Sequence, residues 1–323
     1  MKAIAYKRYG GPEVLELVEV EKPSPKAHEV LVKIQATTVT TTECYFRQGK
    51  PLMTRLFTGL VKPKINRLGE ELAGKIEAVG QEVQRFKKGD LVFGTAGPEF
   101  GANAEYICLP EEGVLAPKPA GISPEEAAAS VDGFLTALPF LRDTGKIKPG
   151  QRVLIYGASG SVGSSAVQLA KYFGAEVTAV CSSTNIELVK SLGADKAIDY
   201  SAEDFTQNGQ TYDIILDAVG KIRFPQVKKV LSPNGTFLEV AIGLGVLPNV
   251  LWTSLVGKQK VKIAATGLRP PKERAKDLLL LKELLETGQV KPVIDRTYAL
   301  EQIAQAHTYV DQGHKKGNVA IVV

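Results

Sequence analysis

The chain has 323 residues, with 40 Lys+Arg against 35 Asp+Glu, a formal charge of +5, and 44% hydrophobic and 23% charged residues. At roughly 100–200 residues per domain this length predicts two domains, and the composition excludes a disordered, collagenous or coiled-coil chain. Three Cys and three His cannot build a disulfide framework and are too few for the usual structural zinc lobe, while so mild a charge excess does not point to nucleic acid.

The opening Met1-Lys2-Ala3-Ile4-Ala5-Tyr6 has no apolar signal core and no transit-peptide character. With its unpaired thiols the chain is expected in a reducing, cytoplasmic compartment. The first third reads as β-rich: Val30–Ile34 and Lys75–Val79 are strand patterns, and Lys88-Gly89-Asp90 turns into Leu91-Val92-Phe93. Within it, Pro51 to Arg67 carries Met53, Leu56, Phe57, Leu60 and Val61 at helical spacing. Arg55, Lys62, Lys64 and Arg67 give it four basic charges and no acid. Three readings stand open: a surface helix packed on its domain, a lid, or a weak contact with an anionic membrane. A helix then starts at Ser123-Pro124-Glu125-Glu126, where Ser caps, Pro takes the first position and Glu126 completes a capping box.

From Arg152 onward strands and helices alternate. Arg152–Tyr156, Glu176–Val180, Lys196–Ile198, Tyr212–Leu216 and Gly235–Val240 read as strands; Ser164–Phe173 and Asn185–Leu192 read as helices. This alternation predicts a parallel sheet covered on both faces. Val240 to Gly257 is the most apolar stretch, but Gly243, Gly245, Pro248 and Asn249 interrupt it. A buried segment or subunit interface is expected there, not a membrane span. Lys262–Ala265 reads as a strand, Lys272–Thr287 and Leu300–Gln312 as helices, and Val319–Val323 as a closing strand.

The sharpest motif is Gly157-Ala158-Ser159-Gly160-Ser161-Val162-Gly163, set between the first of these strands and a helix. Small residues there let backbone N–H groups approach a pyrophosphate at a helix N-terminus, and Gly163 allows close helix–sheet packing. An NAD site usually places Asp or Glu about 20 residues further on, to hold the ribose 2′-OH. This chain has Cys181-Ser182-Ser183-Thr184-Asn185, with no acid to repel a 2′-phosphate, which favours NADP(H). No Lys or Arg stands in that loop either, and Ser182 and Ser183 are equally suited to capping the next helix.

Together these pieces resemble the medium-chain dehydrogenase/reductase superfamily, in its zinc-free quinone oxidoreductase-like branch. The likeness runs nearly end to end, through Met1-Lys2-Ala3, Tyr9–Leu15, Leu68–Gly74, the glycine loop, Leu192–Asp195, Ile198-Asp199-Tyr200, Asp217–Gly220 and Gly313–Gly317. It implies an α/β fold in which a Rossmann doubly wound parallel sheet domain, residues 123–261, is inserted in a GroES-like β-rich catalytic domain built from residues 1–122 and 262–323. It implies NADPH (NADP+), held by Ala158, Ser159, Gly160, Ser161, Val162, Gly163, Ser182, Ser183, Asn185, Tyr200, Val219 and Asn318. It also implies a homodimer paired near Lys262–Ala265, which would cover a sheet edge.

Zinc alcohol dehydrogenases of the superfamily use Cys, His/Glu and Cys ligands. Here Thr40 stands at the first ligand position, and Gly69-Glu70-Glu71 stands where a Gly-His-Glu triplet would. Threonine is a poor zinc ligand, so no metal is expected. With no metal to polarise an alcohol oxygen, the chemistry left is hydride transfer to a quinone or an α,β-unsaturated carbonyl, an enone or enal. The expected catalytic residues are Tyr45, Thr40 and Thr136. Tyr45 is read either as donor to the carbonyl oxygen or as a wall of the cleft. The branch commonly has Asn at the position of Thr40. Thr136 either stands beside the nicotinamide or bonds its own helix. Asp132 replaces a small apolar residue of the branch. Rival functions are an NAD(P)-dependent alcohol or aldehyde dehydrogenase, and a non-catalytic NADP(H)-binding protein acting in redox sensing or at RNA or membranes. No nucleic-acid partner is expected.

Overall fold

The computed structural model describes residues 1–52, 54–64, 66–241 and 244–323. Met53 and the side chain of Phe57, from the apolar series of the basic segment, lie outside the described residues, as do Ile242 and Gly243. In chain order the strands are β1 (Lys2–Ala5), β2 (Glu16–Glu19), β3 (Glu29–Val39), β4 (Glu71–Val79), β5 (Leu91–Thr95), β6 (Tyr106–Pro110), β7 (Val114–Pro117), β8 (Arg152–Tyr156), β9 (Glu176–Cys181), β10 (Lys196–Asp199), β11 (Tyr212–Asp217), β12 (Leu231–Glu239), β13 (Lys260–Lys262), β14 (Ile294–Ala299) and β15 (Asn318–Val322). The helices are α1 (Thr41–Gln48), α2 (Thr54–Thr58), α3 (Pro124–Ala129), α4 (Val131–Pro139), α5 (Ser161–Tyr172), α6 (Ile186–Ser191), α7 (Phe224–Val227), α8 (Leu247–Leu255), α9 (Pro271–Glu286) and α10 (Ile303–Asp311).

The chain forms two compact units. The first comprises Met1–Asp132, Arg269–Gly288 and Pro292–Val323; the second comprises Gly133–Leu268 and Gln289–Lys291. The first dividing line stands after α3, ten residues beyond the expected 122/123, because α3 packs on β3, β4 and β15. The second stands after β13, seven residues beyond the expected 261/262, because β13 completes the sheet of the second unit.

The first unit is built on a sheet ordered β14-β15-β3-β4-β5-β7, with β6 also pairing β3. Its long central β3 is antiparallel to β15, β4 and β6. Val30, Val32, Ile34, Leu72 and Ile76 are buried in one cluster on this sheet. The capping box of α3 forms as its sequence predicts: Glu126 N donates to Ser123 Oγ (3.2 Å) and Ser123 N to Glu126 Oε2 (2.8 Å).

The second unit holds a six-stranded parallel sheet ordered β10-β9-β8-β11-β12-β13. The strands next to the centre, β8 and β11, are continuous apolar runs; Val153, Leu154, Ile155, Ile215 and Leu216 are fully buried. Such runs suit a sheet covered on both faces, and each buried side chain contributes about 1.5–3 kcal/mol. The order reverses between β8 and β11. That is the doubly wound Rossmann arrangement, whose ligands bind beyond the carboxyl ends of the strands at this reversal.

Two expectations about elements are corrected. The strand expected over Lys262–Ala265 lies earlier, at Lys260–Lys262, in register with Thr236–Leu238 of β12. The helical spacing expected from Met53 to Val61 yields only α2; past Thr58 the chain turns, and Tyr9 Oη is bonded to Thr58 Oγ1 (2.8 Å) and Gly59 O (2.5 Å). Leu60 and Val61 follow it as exposed side chains. No helix among the described residues is long and apolar enough to cross a membrane.

Candidate active site

In the second unit the glycine loop runs from the end of β8 into α5. Gly157 has φ +76°, and a Cβ there would run into Val219; a Cβ on Gly163 would run into Gly157 O and lie 2.8 Å from Ala158 Cα. These two glycines therefore let the helix start directly on the strand. Gly160 caps α5 with no side-chain hydrogen bond, and a Cβ there would meet only Gly157 O, at 3.6 Å. The helix N-terminus is thus open and without a side-chain cap. This geometry fits a pyrophosphate, which takes helix N-terminal N–H groups and the positive end of the helix dipole.

The amides of Gly157 and Ala158 are engaged by Val180 O, each at 3.0 Å, and that of Gly160 by Gly157 O. Ser161 and Val162 form the first turn of α5. At the end of β9 the capping expected of Ser182 and Ser183 is not seen: α6 has no side-chain cap. Asn185 instead donates through Nδ2 to Ser159 Oγ (3.0 Å) and Ser182 Oγ (3.1 Å). Asn185 is buried, and its Oδ1 has no partner. An orphaned buried acceptor costs free energy unless a ligand donor reaches it, so this loop also fits a nucleotide ribose. Ser183, Tyr200 and Val219 are exposed at the same carboxyl edge of the sheet. Thr136 is half-buried on α4, and its hydroxyl makes no bond to its own helix among the described residues.

The first unit holds the other expected residues. Thr40 is buried and caps α1. Its Oγ1 accepts from Glu43 N (3.1 Å), while Glu43 Oε2 accepts from Thr40 N (2.8 Å). Glu43 also accepts from Gly69 N (2.5 Å) and Asn103 Nδ2 (3.2 Å). Burial pushes the Glu43 carboxyl up to about 8, against the pull of these donors. Tyr45 projects from α1 and is about half exposed, at 49%. Asn318 is buried at the start of β15, and both its amides donate to Val293 O. Its side chain is therefore already engaged within the first unit.

Residue-by-residue reading missed the charges around Asp132. Glu70 meets Arg274 (3.5 Å) and Thr95 Oγ1 (3.3 Å), and Thr38 Oγ1 donates to Glu71 Oε2 (2.6 Å). Burial first, then the Asp132 charge, pushes Glu70 up to about 7; burial and Glu70 push Glu71 well above the carboxylate range. Burial pushes the Lys315 ammonium down, with Asp132 opposing. The sequence signals for this group were the Gly69-Glu70-Glu71 triplet and Asp132 in place of a small apolar residue.

The residues present do not fit a zinc ion. The Thr40 hydroxyl oxygen serves the helix cap. Cys44 is buried against His307 Nδ1 (3.3 Å), and burial pushes its thiol far above the usual range. A zinc-bound cysteine must be a thiolate.

His307 carries a prediction of its own. It is fully buried, its Nε2 has no partner, and burial pushes it down to about 3. The unfolded chain takes up this proton near pH 6.5, so the folded state loses stability as pH falls from 6.5 toward 3. The difference between the parent and His307→Leu is expected to shift in favour of the variant by about 1.4 kcal/mol per pH unit below 6.5. Denaturant titrations of both chains from pH 7 to 5 check this.

Comparisons with known proteins give the family. Residues 26–120 match the alcohol dehydrogenase GroES-like domain family, and residues 192–321 match the family described as zinc-binding dehydrogenase. The chain is 32% identical to the chloroplast envelope quinone oxidoreductase homolog of Arabidopsis thaliana, over 99% of this chain and 98% of that protein. It is 33% identical to the chloroplastic NADPH-dependent alkenal/one oxidoreductase of the same plant, over 99% of this chain and 79% of that one. Its fold matches the Escherichia coli quinone oxidoreductase complexed with NADPH, with TM-score 0.85 and 26% identity over the whole of both chains. A Rossmann unit joined to a GroES-like unit defines a dinucleotide-dependent oxidoreductase fold. The chain belongs to the medium-chain dehydrogenase/reductase superfamily, in its quinone oxidoreductase-like branch.

Proposed function

We propose that this protein is an NADPH-dependent, zinc-independent reductase of quinones or α,β-unsaturated carbonyls. The observation that carries it is the uncapped N-terminus of α5, together with a loop after β9 that offers hydroxyls and an orphaned Asn185 acceptor in place of an acid. Bound NADPH supplies the hydride. The N–H groups of the Ser161–Gly163 turn hold its pyrophosphate, and Ser182, Ser183, Asn185 and Tyr200 hold its adenosine end. Val219 flanks the glycine loop and shields it. Thr136 positions the nicotinamide side. Thr40 fixes the start of α1, and Tyr45 Oη donates a hydrogen bond to the acceptor oxygen as negative charge develops on it. Tyr45→Phe is expected to lower kcat about tenfold with KM little changed, a loss in keeping with one hydrogen bond. Steady-state NADPH oxidation with a quinone and an enal measures it.

The readings of assembly and location belong to the same proposal. Edge strand β13 and the exposed Leu251, Trp252 and Leu255 of α8 support a homodimer. Leu251→Asp with Leu255→Asp is expected to give a monomer by light scattering at micromolar concentration, where the parent is a dimer. The three free cysteines suit a reducing compartment such as the cytoplasm. Exposed Leu52, Leu56, Leu60 and Val61 beside the basic side chains of residues 51–67 support weak contact with an anionic bilayer.

A further inference from the structure

The second unit contains a pocket of about 760 Å³, well within the size range of small-molecule sites. Tyr156 at the end of β8, Tyr200 and Ser201 after β10, and Lys221 and Ile222 after β11 line it. It therefore stands at the reversal of strand order, beyond the carboxyl ends of the strands. It also adjoins the nucleotide loops. Tyr200 N donates to Cys181 O (3.1 Å), immediately before Ser182. Asp217 accepts from the amides of Val219 (2.9 Å), Gly220 (2.8 Å) and Ile222 (3.0 Å), which fixes the short loop that presents Lys221.

The charges in this region divide into committed and uncommitted. Asp199, which the backbone of Ser183 also meets, accepts from Ser201 N (3.0 Å) and Ser201 Oγ (2.8 Å). Asp204 accepts from Thr206 Oγ1 (2.7 Å) and feels the charge of Lys229. Glu203 accepts from Asn208 Nδ2 (3.2 Å). Lys221 is exposed on the pocket wall, and its Nζ has no hydrogen bond or ion pair among the described residues. The loop after β9, where the fold usually reads the ribose, has no cation. The pocket thus offers the Lys221 ammonium beside Tyr156 and Tyr200, while Lys229 on the same wall faces the charge of Asp204. An ammonium with phenol hydroxyls is a donor set suited to a phosphate dianion and in excess of what a ribose hydroxyl needs.

We infer that Lys221, from the loop after β11, binds the 2′-phosphate of the adenosine ribose and sets the preference for NADPH over NADH. The inference rests on the NADPH reading above. Calorimetric titration of the full chain with NADPH, NADH, adenosine 2′,5′-bisphosphate and AMP tests it, comparing the parent with Lys221→Ala, Lys221→Arg and Lys229→Ala. For Lys221→Ala, NADPH and the bisphosphate are expected to bind about tenfold to a hundredfold more weakly, with NADH and AMP within about twofold of the parent. Lys221→Arg restores most of the affinity, and Lys229→Ala leaves it unchanged. Equal loss for all four ligands, or no loss for any, overturns the role of Lys221. A parent chain that binds neither dinucleotide overturns the functional reading itself, a separate result.

Discussion

A chain carrying Gly163→Val is expected to bind NADPH about a hundredfold more weakly than the parent and to lose about 3 kcal/mol of stability. The reason is local. A Cβ at residue 163 runs into Gly157 O and lies 2.8 Å from Ala158 Cα, both backbone atoms at the end of β8. Neither can move without separating α5 from the sheet. Nine residues of α5 are buried, so that separation is felt through the unit. Gly160→Ala provides the contrast. Residue 160 has φ −78°, and a Cβ there meets only Gly157 O, at 3.6 Å. The alanine chain is therefore expected to melt within about one degree of the parent, since about 1 kcal/mol corresponds to a few degrees. Its added methyl faces the open helix end and weakens NADPH binding. Melting curves with and without NADPH separate the two effects.

Asp311→Ala is expected to destabilise the protein by about 3–5 kcal/mol. Arg47 is completely buried, and its Nη2 donates to Asp311 Oδ2 (2.5 Å). Its Nε and Nη1 have no partner. Removing Asp311 strands a buried charge beside Cys44 and His307, because α1 packs directly on α10. Arg47→Met removes the charge and keeps the apolar stem. That variant is expected to stay within about 1 kcal/mol of the parent, or above it. Denaturant titration of both variants measures this; equal and small losses would mean that the pair is solvated in solution.

What the sequence disclosed depended on how local the cause was. The βαβ alternation and the glycine loop were legible because each strand and its following helix lie within about thirty residues. The capping box at Ser123 was read correctly from the same rule that applies at Thr40-Thr41-Thr42-Glu43, where the spacing was overlooked in favour of a catalytic threonine. The five-residue length of α2 was not legible, because the bonds from Tyr9 to Thr58 and Gly59 come from far outside the segment. Glu43 depends on Gly69 and Asn103, and Glu70 on Arg274, pairings that only the folded sheet brings together. The loop after β9 carries no Lys or Arg, and the pocket at this edge of the sheet draws Lys221 from the loop after β11. Parallel sheets place such loops side by side at one edge, and no local pattern marks which ones meet.

The proposed reaction is delivery of hydride from NADPH to an activated acceptor without a metal. Its most direct test is NADPH consumption by the purified chain across quinones, enals, enones and simple carbonyl and alcohol pairs, each with a chelator and with added zinc. Turnover of quinones or of enals and enones, unchanged by chelator or zinc, is expected, with little or none for simple alcohols. Turnover confined to alcohols and dependent on added zinc would contradict it.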